Sequence, residues 1–156
     1  TNTSIEPLPL LKSETNLAFR PEGAGYTGGV PDWTVQYGWR SELSVDYFER
    51  VVWPALAHRI PAFENLKLNG SFVGHYDTNS FDKNAIIGCW TGPGSEVCSN
   101  VFIAAGFSGH GVMHAPATGL ALSELILNGS YKTMDLSPFG YDRITSETPY
   151  REIGII

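Results

Sequence analysis

The spacing of apolar positions changes along the chain, and each change marks an element. Residues 1–14 are polar with prolines and predict an extended lead-in. Asn16–Pro21 (NLAFRP) and Tyr26–Pro31 (YTGGVP) then read as two short strands, joined across Glu22–Gly25 into a hairpin with a glycine turn. Residues 32–43 are loop-like, and Trp33, Tyr37 and Trp39 bring enough aromatic area to predict packing into a core or lid. From Ser44 the spacing shifts to three and four: Tyr47, Phe48, Val51, Val52, Leu56 and Ala57 predict a helix capped by Ser44. Pro54 should kink or split it, and Pro61 should end it. Leu66–Tyr76 alternates like a strand, with a bulge expected at Asn69-Gly70. Asp77–Lys83 is a polar turn, Ala85–Gly88 a short apolar strand, and the Gly/Pro-rich Trp90–Ser99 a connection.

The stretch Val101–Gly119 concentrates special backbone positions beside an apolar run. VFIAA reads as a buried strand, GFSGHG breaks regular structure, and APATGLALSELILNG reads as a helix. Pro116 fits a first turn. Leu120, Leu122, Leu125, Ile126 and Leu127 supply a broad apolar face, and Asn128-Gly129 a stop. The tail from Tyr131 is mixed and predicts a segment that wraps over the body more than it builds core. Antiparallel strands up to about Tyr76, followed by strand, loop and helix, give an α+β class.

Composition narrows the partners. The chain has 156 residues, with 10 Lys+Arg against 16 Asp+Glu and a net charge of −6, which argues against a nucleic-acid surface or an anionic-lipid site. Its apolar runs are too short to span a membrane, and no signal or transit segment is visible. The start TNTSIE, lacking methionine, suggests a processed or excised piece. Cys89 and Cys98 flank WTGPGSEV and leave both a disulfide and a reducing compartment open. Asn2, Asn69 and Asn128 stand in Asn-x-Ser/Thr triplets that read as turn chemistry.

Three motifs invite chemistry. Gly23–Gly28 matches G-x-G-x-x-G, but RPE precedes it and VPDW follows, where a dinucleotide fold needs a buried strand and a helix. Ser108 lies near His110, yet the G-x-S-x-G elbow fails because its last position is His110, and triad partners come from distant segments. His110 and His114 are four apart, but Pro116 and the glycines argue against a regular helix through both, and no metal site is assigned. The physical reading is a backbone cradle: N–H groups of Gly109 to Met113, reinforced by a helix start, facing an electron-rich ligand edge.

NVFIAAGFSGHG followed by a helix, preceded by FVGHYDTNSFDKNAIIG, resembles the C-terminal part of the FAD-dependent oxidoreductases of the D-amino-acid oxidase and sarcosine oxidase class. VVWPALAHRIPAFENLK and TMDLSPFGYDRI extend the resemblance over nearly the whole chain. It implies a two-domain flavoprotein: residues 1–83 as part of the substrate (cap) domain, with antiparallel strands and one kinked helix, and residues 84–156 as the last strand, loop and helix of the FAD-binding α/β domain plus a tail. It assigns Gly109, His110, Gly111, Val112 and Met113 to the flavin cradle and puts Gly74 to Asp77, His75 and Tyr76 among them, near the ring. The cofactor it implies is FAD, held together with an N-terminal dinucleotide-binding part that this chain lacks. Hydride would pass from an amine- or amino-acid-like substrate to the flavin. No catalytic residue is assigned. Class members that hold a substrate carboxylate with a lysine have it where this chain has Met113, so the resemblance also admits a non-catalytic assembly or scaffold protein. Within the class the segments are most similar to a mitochondrial member, which implies a mitochondrial location and respiratory complex I assembly intermediates as partners.

Overall fold

The computed structural model describes residues 8–39, 44, 46–91 and 97–151, and divides into two compact units, Thr1–His75 and Tyr76–Ile156. In the first unit, β1 (Leu11–Lys12), β2 (Ala18–Glu22) and β3 (Gly25–Gly29) form an antiparallel sheet in that order. The expected hairpin is present, with Glu22 opposite Gly25. Gly23, first in the turn, has φ +57°, the sign a II′ turn requires there. The G-x-G-x-x-G match thus lies in a hairpin, with Gly28 paired opposite Phe19. A side chain at Gly28 would collide with the Ala18 carbonyl and with Phe19, so this glycine serves strand packing.

The helical stretch after Ser44 is broken more finely than its spacing predicts. A π-helical turn, Phe48–Val52, leads into α1 (Trp53–Arg59), and a 3₁₀ turn follows at Pro61–Asn65. Pro54 sits in the first turn of α1, where its missing N–H is harmless, and the wider π turn precedes it. Ser44 does not cap: its hydroxyl donates to Asp46 Oδ1 at 2.8 Å, and its carbonyl accepts the Tyr47 N–H at 3.1 Å. Leu17 and Phe19 from the sheet meet Val52 and Leu56 from the helix around Phe63, which is fully buried. Phe63 packs edge-on to Phe19 with centroids 5.6 Å apart and lies 4.8 Å from the Tyr26 ring.

Two expectations for this unit fail. Leu66–Tyr76 forms no regular strand, and Leu68, Phe72 and Val73 are exposed. Alternation signals a sided segment, but a strand also needs an edge to pair with, and no described edge takes this one. Trp33, Tyr37 and Trp39 are 53%, 81% and 90% exposed, so they are not core. Residues 40–43 of the expected loop lie outside the described residues.

In the second unit, β4 (Ile86–Thr91) and β5 (Val97–Ala105) pair antiparallel, with a register irregularity between Cys89 and Thr91. Both strands run further than the apolar cores AIIG and VFIAA suggested. Residues 92–96 of the expected connection between them lie outside the described residues, as does the Cys98 side chain, while Cys89 is a free thiol. α2 spans Gly111–Asn128 and stops as expected at Gly129, whose φ is +70° and whose N–H reaches the Leu125 carbonyl at 2.9 Å. It starts earlier than Pro116 suggested, which makes Pro116 an interior residue. Its apolar face is also less covered than expected. Thr118 and Ala121 are buried, whereas Leu120, Ile126 and Leu127 are exposed. The small core of Ala85, Ile87 and Ala121 is closed by Leu136 from the tail. The tail, with a 3₁₀ turn at Ser137–Phe139 and α3 (Asp142–Thr145), therefore supplies core as well as cover. Helices beside small antiparallel sheets make the chain α+β. Among the described residues, no helix is long and apolar enough to cross a membrane.

Candidate functional site

The second unit turns between β5 and α2 through three left-handed residues in four positions. Gly106, Ser108 and Gly109 have φ values of +73°, +49° and +96°. Glycine supplies the first and third at no steric cost; Ser108 is the strained one, at about 1–3 kcal/mol. Its environment holds it there. The Ser108 hydroxyl donates to the Lys83 carbonyl at 2.8 Å, its N–H donates to the Asp77 carbonyl at 2.9 Å, and it is 1% exposed. A serine so buried and so engaged is a structural pin, in keeping with the failed G-x-S-x-G match.

Asp77 holds the loop at a second point, because its Oδ2 accepts the Gly106 N–H at 2.5 Å. Thr78 bridges Phe107 in antiparallel fashion, so the segment before β4 runs beside the glycine loop. Gly106 also backs onto Asn79: an added Cβ would stand 2.9 Å from that of Asn79. At Gly109 an added Cβ would stand 3.1 Å from the Tyr76 ring, so the ring lies over bare backbone.

Behind the loop stands a buried ion pair. Arg143 Nε donates to Asp82 Oδ2 at 2.7 Å, and the two side chains are 6% and 0% exposed. Arg143 also reaches the carbonyls of Asn84, Ala85, Phe139 and Gly140. Asp82 accepts in addition from Asn79 Nδ2 at 2.7 Å and from the N–H groups of Asn84 and Tyr150. Burial alone pulls the Asp82 carboxyl upward; the Arg143 hydrogen bonds, the Tyr150 and Asn84 N–H groups and the Arg143 charge outweigh it and hold the carboxyl below its usual range. The turn that carries Lys83, the acceptor of the Ser108 hydroxyl, is thereby fixed to the tail.

The loop delivers the start of α2. The N–H groups of Gly111, Val112 and Met113 begin the helix and have no intrahelical carbonyl to bond. Val112 and Met113 are 93% and 60% exposed, and the first turn carries no acidic residue. This leaves an open, apolar-edged donor surface at the positive end of an 18-residue helix. The His110 N–H is spent on the Phe107 carbonyl at 2.9 Å, and the His110 ring is buried and stacks on His114 with centroids 5.5 Å apart. Contrary to expectation the helix does run on from His110 through His114, whose N–H meets the His110 carbonyl at 3.1 Å. Among the described residues no group of three or more His, Cys, Asp or Glu could hold a metal. The structure thus brings Gly109, Gly111, Val112, Met113 and Tyr76 to one place. His75 falls in the first unit, where its ring lies tilted against Trp39 with centroids 4.9 Å apart.

The resemblance put Asp77 near the ring, but its grip on Gly106 and the Asp82–Arg143 pair escaped sequence reasoning. Asp77 lies 29 residues from Gly106, and Asp82 lies 61 from Arg143, distances over which no local periodicity speaks.

The glycine loop thus opens a helix after β5, whose residues 100–105 are half-buried to exposed and not the buried strand VFIAA suggested, and the helix start offers N–H groups to an acceptor. The pattern of the FAD dependent oxidoreductase family matches residues 2–125, and the chain belongs to that family. It is 41% identical over 152 residues to FAD-dependent oxidoreductase domain-containing protein 1 of Xenopus laevis, covering 95% of this chain and 30% of that protein. The Bos taurus protein of the same name is 40% identical over 139 residues, covering 86% of this chain and 28% of that protein. A Drosophila melanogaster homolog is 34% identical over 149 residues, covering 94% and 27%. The chain thus spans less than a third of the length of these curated relatives. No solved structure matches it.

Proposed function

We propose that this chain supplies the flavin-facing loop and helix of an FAD-dependent oxidoreductase, together with part of its substrate domain. When bound, the flavin supplies the acceptor for a hydride, here taken from an amine- or amino-acid-like C–H. Gly109 lets the Tyr76 ring close on the loop backbone, and the N–H groups of Gly111, Val112 and Met113 would meet the flavin's carbonyl edge. His110 contributes through its buried ring, which braces the helix start. The division read from the sequence, residues 1–83 toward the substrate side and residues 84–156 toward the flavin, belongs to the same proposal. So does the need for a dinucleotide-binding part to grip the rest of FAD.

The observation that carries the reading is the open start of α2, held in place by a loop whose left-handed turn is pinned at Ser108 and Asp77. The experiment is to purify the full-length protein with its flavin and replace Gly109 by Val, which meets both a positive φ and the Tyr76 ring. Flavin absorbance per protein should fall at least tenfold while the protein stays folded. Full retention of flavin would refute the placement.

Met113 motivates a second reading. It stands exposed where carboxylate-binding members of the class carry a lysine, which favours a protein that keeps the fold for assembly, with respiratory complex I intermediates in mitochondria as the proposed partners. Reduction of the bound flavin by an amine substrate would overturn that reading.

A further inference from the structure

Asp77 grips the glycine loop at both ends of its sharpest bend. Its carboxylate takes the Gly106 N–H and its carbonyl takes the Ser108 N–H. Between those two amides lies Phe107, bridged to Thr78. A run of three positive φ values in four residues has no ladder of its own to hold it, so its direction is set by whatever binds its amides. A carboxylate accepts such an amide more strongly than a neutral side chain does. The residue before it, Tyr76, lays its ring against Gly109, so the dipeptide Tyr76-Asp77 touches the loop at Gly106, Ser108 and Gly109.

We propose that Asp77 is a positioning residue for the flavin wall: it fixes the path by which the loop delivers the Gly111–Met113 N–H groups, and seats Tyr76 over Gly109. The inference rests on the flavin-facing reading of the loop. It does not make Asp77 a group that touches the ring.

The test uses the full-length flavin-loaded protein with Asp77→Ala and Asp77→Asn. Amide hydrogen exchange is read at Gly106 and Ser108, with the β4 amides as internal reference, and flavin retention on dilution is read in parallel. For Asp77→Ala, exchange at Gly106 should rise tenfold or more with β4 unchanged, and flavin affinity should fall about tenfold. Asp77→Asn retains an oxygen acceptor and the same main chain, so it should recover most of the affinity while Gly106 exchange stays raised severalfold. Unchanged Gly106 exchange in Asp77→Ala overturns the inference, as does an equal rise at β4, which would make Asp77 a general stabiliser. If the alanine variant does not fold, loss of flavin from the asparagine variant with Gly106 exchange unaltered overturns it as well. A wild-type protein that holds no flavin would remove the functional reading, while the exchange measurements would still decide the clamp.

Discussion

Replacing Arg143 by Leu separates a charge from its partner inside the second unit. Leucine approximates the buried stem but removes two hydrogen bonds to Asp82 and those to the Asn84, Ala85, Phe139 and Gly140 carbonyls. The dominant cost is the Asp82 carboxylate left buried and unpaired, about 3–5 kcal/mol. At 1.4 kcal/mol per factor of ten, exchange of the most protected β4 amides should accelerate roughly a hundredfold to a few thousandfold at neutral pH. Replacing Asp82 by Leu should cost a similar amount through the orphaned guanidinium. The double replacement should fall short of the sum by about 2–3 kcal/mol, the coupling expected of residues in one network. Acid supplies a second check with a definite sign. Asp82 has a depressed pKa in the folded state, so its contribution is present above the unfolded aspartate value of about 3.9 and is lost as pH falls through the lower folded value. In Arg143→Leu, burial, the largest single influence on Asp82, loses its main opponent, and this acid-dependent loss should flatten. Acceleration of less than threefold at pH 7, or strict additivity in the double variant, would refute the claim that this pair fixes the turn under the glycine loop.

Phe63→Ala empties the centre of the first unit, where the ring is fully buried against Phe19 and Tyr26, and should destabilise that unit by about 3–5 kcal/mol, read by amide exchange in β2. Ser108→Ala deletes a buried donor to the Lys83 carbonyl and keeps the left-handed strain, so about 1–3 kcal/mol of stability should go, measured in the same way at β5. The wild-type protein should resist labelling at Ser108 by a serine-reactive phosphonate, as peptide mapping would show.

The sequence carried what local chemistry dictates. The hairpin was legible because Gly23 sits where the turn needs a positive φ, and the end of α2 because Asn128-Gly129 is a helix stop. The glycine loop was legible as a break between strand and helix because GFSGHG cannot be regular. Long-range facts were not. The alternation of Leu66–Tyr76 predicts a strand correctly only if an edge lies beside it, which periodicity does not encode. Pro116 suggested a helix start, yet the helix begins at Gly111 and tolerates proline as its sixth residue, close enough to the end that one ladder bond, to the Val112 carbonyl, is lost. The ion pair behind the loop depends on two residues from opposite ends of the unit, each of which reads as a surface charge until the fold brings them together.

The clasp between Asp82 and Arg143 also fixes an order of events. During synthesis the turn, both strands and the whole of α2 are made before Arg143, which follows Asp82 by 61 residues. Until then the Asp82 carboxylate must stay hydrated, because burying it alone costs several kcal/mol. The turn under the glycine loop therefore sets only when the tail arrives, and a chain cut between Gly129 and Arg143 would hold strands and helix without a finished loop.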